Sequence, residues 1–189
     1  MIDTLSRKQR SKAMSKVRGA DTKPEWILRC GLHGLGFRYR LRNTHLPGRP
    51  DLVFPKYRAV IFVHGCYWHR HAGCKDASTP KSNVAFWTRK FAENVERDRR
   101  TELEIAERGW RLMVVWECEL IERTVETVRR VALWLSRRTT ADGDRHYDAV
   151  TIDRRKLLAV AEKKVRYRIA SYDRKRDFSD SEEAKVQRP

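Results

Sequence analysis

Two uninterrupted apolar runs, Ala59-Val60-Ile61-Phe62-Val63 and Leu112-Met113-Val114-Val115-Trp116, constrain the fold more than any other feature of the chain. Runs this short, bounded by turn residues, read as strands buried on both faces. Each is followed closely by a cysteine. The first passes through His64 and Gly65 to Cys66, and the second through Glu117 to Cys118. The two strand ends are therefore expected to meet. Helical patterns before, between and after these runs suggest one mixed sheet between helices, an α/β sandwich.

The remaining elements follow from local chemistry. Thr22-Lys23-Pro24-Glu25 fits a capping box with proline in the first turn, and Leu28, Leu32 and Leu35 fall on one face of the helix that follows. Phe37, Tyr39 and Leu41 alternate with Arg38 and Arg40, the pattern of a strand with one wet face. Leu46-Pro47-Gly48-Arg49-Pro50 is a rigid loop leading to a short strand that Asp51 opens, and Pro55 to Arg58 turn the chain. A long helix is expected from Asn83 to Arg108, with Val84, Trp87, Phe91 and Val95 as its core stripe and Gly109 as its stop. Another is expected from Leu120 to Ser136, lined by Ile121, Val125, Val128, Ala132 and Leu135. A domain of residues 1–138 results, followed by a basic extension, 139–189. In that extension residues 153–170 form a candidate helix, and the chain beyond Ser171 reads as disordered.

Charge narrows the partner. The 189 residues carry 42 Lys and Arg against 25 Asp and Glu, a net +17. Such a surface attracts polyanions and releases counterions on phosphates. No apolar run approaches the roughly 18 residues of a membrane span, and neither an amphipathic anchor nor a lipidation signal is evident. Nucleic acid is the expected partner. Residues 1–20 form either a basic DNA-binding helix or arm, or a solvated terminus. Met1 to Arg10 lack a signal core, so a reducing, cytoplasmic setting is expected, where cysteines hold metal more often than each other.

Cys66-x4-His71-x2-Cys74, with Cys118 farther along, supplies three thiols and an imidazole. Cys3His is a structural zinc set, and soft thiolates suit zinc better than magnesium. The plain alternative is four small buried residues. Cys30 belongs to the first helix's apolar face.

A second constellation points to phosphate chemistry. Asp51 lies where two adjacent strands bring it near positions 62–64, and a carboxylate beside backbone carbonyls is how Mg²⁺ is held near a phosphate. His64 or His69 can then act as general base towards water. Each residue also has an ordinary reading. Asp51 caps a loop, Glu25 completes a capping box, and a histidine at a strand end is a satisfied polar group. Tyr67-Trp68 are hard to bury fully within the proposed zinc loop, and exposed rings among cations stack on bases or wedge between them. Spacing alone places Trp87 in the core.

Taken in order, Leu46 to Asp51, Val60 to His69, Phe86-Trp87, Asn94 to Arg100 and Val114 to Cys118 resemble the very short patch repair (Vsr) endonucleases, over about residues 5–135. The resemblance implies a restriction-endonuclease-like fold with a structural zinc. It implies Mg²⁺-dependent nicking of one strand 5′ to the thymine of a T·G mismatch left by deaminated 5-methylcytosine. By position it implies that Asp51 and the Val63 carbonyl hold Mg²⁺, that His69 is the base with His64 assisting, and that Glu25 acts through water. Cys66, His71, Cys74 and Cys118 would hold zinc, and Tyr67, Trp68 and Trp87 would wedge into the duplex. Val63 stands where threonine is frequent, Tyr67 where phenylalanine is common, and the segment before Cys74 is one residue longer than in some relatives. A related endonuclease with another mismatch or a restriction site as target, and a catalytically silent zinc module that binds DNA, are the competing readings. A monomer in the bacterial cytoplasm, associated with the nucleoid and working beside mismatch-repair proteins, is the expected setting.

Overall fold

The computed structural model describes residues 19–41 and 43–137. All but the last two residues of the expected basic arm (1–20), the candidate helix at 153–170 and the expected disorder beyond Ser171 lie outside the described residues.

A three-stranded sheet forms the centre, in the order β1 (Leu52–Phe54), β2 (Ala59–His64), β3 (Arg111–Trp116). β1 runs antiparallel to β2, with Leu52 opposite Ile61. β2 runs parallel to β3, with Ala59 opposite Arg111 and His64 opposite Trp116. The hairpin between β1 and β2 needs only a short 3₁₀ turn, Pro55–Tyr57, ending on Arg58 in the left-handed region at φ 41°. The parallel pair needs a long crossover, and α2 (Val84–Glu107) supplies it.

Both faces of the sheet are covered. On one, α1 (Lys23–Gly34) and α4 (Thr124–Ser136) bring Ile27, Leu28, Leu32, Val128, Val131 and Leu135 against Leu52, Phe54, Ile61 and Val115. On the other, Ile105 of α2 and Leu46 pack on Val53, Val60 and Phe62. β1 and β2 are thus buried on both sides, as the continuous run of β2 predicts, whereas β3 is half-buried along its length apart from the buried Val115, which corrects the expectation for the second run; the sandwich is an α/β architecture. No described helix is long and apolar enough to cross a membrane.

Three other local expectations are corrected. Phe37 to Leu41 does not form a strand: only Arg40 pairs, through two backbone bonds with Val53, while Phe37 turns into the core. The expected helix from Leu120 to Ser136 is two helices, α3 (Glu117–Glu122) and α4, broken at Arg123. The hydroxyls of Thr124 and Thr127 take the carbonyls of Leu120 and Glu119 at the break. The kink leaves Ile121 in solvent, 54% exposed. The core stripe of α2 is also displaced. Val84 (52%) and Val95 (46%) are exposed, and the inward positions are Phe91, Asn94, Asp98 and Ile105, of which Asp98 is only half-buried.

Gly48 lets the rigid loop reach the sheet. Its φ is +67°, and a Cβ there would stand 2.3 Å from the Thr101 methyl on α2. Only glycine allows the loop to lie this close to the helix while delivering Asp51 to the sheet.

Candidate active site and metal centre

Asp51 lies in the bend just before β1 rather than opening the strand, and its Oδ2 accepts the Val63 N–H at 2.7 Å. Burial pushes its carboxyl up from the usual 3.8 to about 6. The Val63 bond opposes that shift, the nearby Glu25 carboxylate adds to it, and the Arg29 guanidinium pulls the other way.

Glu25 reaches the same place from the first turn of α1. It is 4% exposed. Its carboxylate accepts from the Thr22 N–H and hydroxyl, from the Asp21 N–H, and from Arg29 at 2.5 Å. The capping role expected of Glu25 is therefore real, and it coexists with a place beside Asp51.

One residue beyond Val63, the His64 ring turns to the α2 side and stacks on His69, with centroids 3.8 Å apart and planes 11° from parallel. Burial first, and then the neighbouring His69 ring, lower His64 to about 4, while Asp98 works in the opposite direction. His64 is thus neutral at physiological pH. His69 turns its Nδ1 to Asp98 Oδ2 at 2.5 Å. Arg97 holds the other Asp98 oxygen at 3.0 Å. The ligand atoms of His64, His69 and Asp98 lie within 4.8 Å of one another. Two parallel rings cannot both aim their in-plane lone pairs at one ion about 2.1 Å from each. The His69–Asp98 contact can orient an imidazole and fix its tautomer. Asp98 is the member of this cluster that sequence reasoning missed. Its signal was Asn94 and Asp98, four residues apart on the inward side of a helix. Asn94 holds the backbone just before His69 by donating to the Trp68 carbonyl at 3.2 Å.

The second cluster lies against the first. One ligand atom each from Cys66, His71, Cys74 and Cys118 fall within 4.8 Å of one another, with His71 Nδ1 3.6 Å from Cys66 Sγ and 3.4 Å from Cys118 Sγ. The expected meeting of the two strand ends is therefore observed. Burial pushes the Cys66 thiol up to about 12 and Cys118 up as well; the Cys74 thiol adds to both, while Cys66 works against the rise at Cys118. A dication among them relieves that repulsion by favouring thiolates, so soft donors in this crowding fit a tetrahedral metal. Trp116 joins the two clusters. Its indole stacks on His71 at 4.1 Å and meets the edge of His64 at 5.5 Å.

The aromatic residues also converge. Tyr67 contacts Trp68 at 5.0 Å, Trp87 at 5.9 Å and Phe91 at 5.2 Å, and Phe86 joins through Trp87 at 5.3 Å. Arg70 lies over Phe91 at 4.4 Å. Trp87 is half-buried within this group rather than part of the sheet core. Val63, its N–H committed to Asp51, is likewise half-buried.

Comparison with known proteins places this geometry in a family. The family model of DNA mismatch endonuclease Vsr matches residues 2–76. The chain is 48% identical over 120 residues to the type II nicking enzyme V.XorIIP of Xanthomonas oryzae pv. oryzae, which spans 64% of this chain and 88% of that one. The chain belongs to the Vsr family. It is also 44% identical over 120 residues to DNA mismatch endonuclease Vsr of Escherichia coli, covering 64% of this chain and 76% of the relative. With the type II nicking enzyme V.NmeAIP of Neisseria meningitidis it shares 42% over 125 residues, 66% and 89% respectively. The Vsr family match includes Glu25, Asp51, His64, His69 and three members of the Cys/His cluster. It stops before α2, which carries Trp87 and Asp98.

Proposed function

We propose that this chain is a DNA mismatch endonuclease that nicks one strand of a duplex 5′ to the thymine of a T·G mismatch. One observation carries the reading. At the C-terminal end of β2, Asp51 is tied to Val63, the His64–His69–Asp98 relay begins at the next residue, and the aromatic group of Tyr67 and Trp68 follows at once. A carboxylate, a proton relay and stacking rings on one lip are what hydrolysis of a distorted backbone requires. The names of the relatives, a mismatch endonuclease and nicking enzymes, support the same class.

In this reading the core is restriction-endonuclease-like. Asp51 and the Val63 carbonyl hold Mg²⁺, with Glu25 acting on it through water. When bound, that ion polarises the phosphate and offsets charge developing there. His69 takes a proton from the attacking water at Nε2, because Asp98 occupies Nδ1 and so fixes the tautomer. His64, neutral and stacked on His69, leaves the relay without a second positive charge as that proton arrives. Cys66, His71, Cys74 and Cys118 hold a structural Zn²⁺.

Tyr67, Trp68 and Trp87 supply mismatch preference. A T·G wobble pair is weaker than a Watson–Crick pair, so prying its neighbours apart costs less. Unstacking costs a few kcal/mol per step, and stacking on rings offsets about 1–3 kcal/mol per base. Discrimination then rests largely on deformability. The protein acts as a monomer in the bacterial cytoplasm, associated with the nucleoid and alongside mismatch-repair proteins, with its basic terminal segments against the duplex.

The test compares a T·G duplex with the matched T·A duplex in Mg²⁺. A single nick 5′ to the mismatched thymine, tenfold or more faster than any cut in the matched duplex, is expected. Equal inertness towards both would leave a silent binding module, and preference for another site in a panel of all mismatches would move the target. That panel matters because several relatives are named type II nicking enzymes rather than mismatch endonucleases.

A further inference from the structure

Arg70 turns its charge inward. It stands between His69 and His71 in the left-handed region, at φ 55°, where glycine or asparagine would sit with less strain. Its side chain offsets that strain with three contacts. The guanidinium carbon lies 4.4 Å from the centroid of the Phe91 ring on α2. One terminal nitrogen donates to the Ser78 carbonyl at 3.0 Å, and the other to the Thr79 hydroxyl at 2.9 Å.

Phe91 is the floor of the aromatic group. It is 6% exposed. Trp87 stacks on it at 5.6 Å with planes 29° apart, and Tyr67 meets it edge-on at 5.2 Å. The rings above this floor come from two elements. Tyr67 and Trp68 ride on the loop after β2, while Trp87 sits in the first turn of α2. Residues 69–83 join the two without a helix or strand of their own. Asn94 and Asp98 tie the loop to α2 at its inner end, through the Trp68 carbonyl and His69. Arg70 ties it beside the rings. Its charge rests on the shared floor, and its fork grips the segment that enters α2. Rings on separate elements must be ordered relative to one another when they bind, and a clamp removes that cost.

We propose that Arg70 fixes the spacing of Tyr67 and Trp68 relative to Trp87, and thereby sets how well the rings enter a mismatched duplex. The proposal rests on the wedge reading above and deepens it by naming what holds the wedge together. It makes Arg70 a positioning residue, a cation spent on protein rather than on a phosphate.

The test reads base unstacking and separates binding from chemistry. The full chain saturates a T·G duplex, and its T·A counterpart, each carrying 2-aminopurine beside the thymine in magnesium-free buffer. This base brightens when it loses its stacking neighbours. The wild type should brighten the T·G probe more than the T·A probe. Arg70→Gln should give less than half of that gain and raise KM for T·G nicking about tenfold, the scale of a desolvated cation–π contact. Its kcat should stay within about threefold of wild type. The slope of log affinity against log salt should not change, whereas loss of a phosphate contact would flatten it by about 0.9. Arg70→Lys keeps a cation over Phe91 but not the fork, and should fall between the two. A folded Arg70→Gln with wild-type brightening and KM, a salt slope flattened by about 0.9, or a loss confined to kcat would each overturn the proposal while leaving the wedge. Equal brightening of both probes by the wild type would instead remove the wedge and end both. If circular dichroism shows the glutamine variant unfolded, Arg70→Lys decides by the same readings, and wild-type behaviour in it would overturn the clamp.

Discussion

His69 turns its Nδ1 to a carboxylate oxygen of Asp98 at 2.5 Å, and so joins the loop after β2 to the middle of α2. A relay built this way fails through its orienting partner as well as through its base. Asp98→Asn should lower kcat on a T·G duplex by roughly a hundredfold, and His69→Ala by at least as much, both within the range for general base catalysis. KM should change little. Single-turnover nicking at saturating enzyme measures this, and an unchanged rate for Asp98→Asn would remove Asp98 from the relay.

Asp51→Asn should abolish nicking while keeping mismatch affinity within about threefold, because it removes charge and little volume. Gel-shift titration beside the nicking assay separates the two. A variant that still nicks at the wild-type rate would show that the carboxylate has no part in the reaction.

The same residue and His64 give opposite dependences of stability on pH. Folded Asp51 keeps its proton up to about pH 6 against 3.8 ordinarily, so its contribution falls as pH rises through that window. Folded His64 loses its proton near 4 against 6.5 ordinarily, so its contribution falls as pH drops through 6.5 towards 4. Between pH 4 and 6 the two slopes nearly cancel. Asp51→Asn exposes the histidine slope alone: relative to wild type it should lose on the order of 3 kcal/mol when pH is lowered from 6 to 4. His64→Gln should change in the opposite sense. Urea midpoints in magnesium-free buffer at the two values provide the comparison.

Cys118→Ser should bind less than one zinc per chain and melt well below the wild type, since three ligands are left to tie the ends of two strands together. Metal content measured by a chromogenic chelator on denatured protein, paired with the melting temperature, tests both halves. A full zinc complement in this variant would assign the fourth ligand elsewhere.

Gly48→Ala should destabilise the chain by about 2 kcal/mol or more, from positive φ and from a Cβ driven into the Thr101 methyl. The loop carries Asp51, so nicking should fall with stability. A thermal midpoint unchanged by the alanine would mean that α2 and the loop separate easily.

Much of this architecture could be read from the chain because buried strands and capped helices leave strong local signals. The runs ending near Cys66 and Cys118 predict two apolar strands, and those strands pair, with His64 opposite Trp116. The four residues of the Cys/His cluster stand out because metal chemistry restricts residue type and spacing together. What escaped did so for physical reasons. Apolar spacing alone points to Val84 and Val95 on α2. The helix borders a reactive site, so its inward side carries Asn94 and Asp98 where a plain core would have aliphatics. Phe37 to Leu41 has a true alternation but little neighbour to pair with, and periodicity cannot report the lack of a partner. Ile121 fits the register of one continuous helix, which the break at Arg123 interrupts. Glu25 shows that a capping contact and a seat beside a reactive carboxylate are compatible, so weighing one against the other posed a false choice.

Trp116 has a consequence for how this protein can age and diverge. One indole is both the wall behind the Cys/His cluster and the edge neighbour of a histidine whose pKa burial lowers. Oxidation of the thiols would therefore be felt at the relay as a loosened wall before the sheet itself came apart. A descendant that discarded its cysteines would need a new filler for that volume to keep its catalysis.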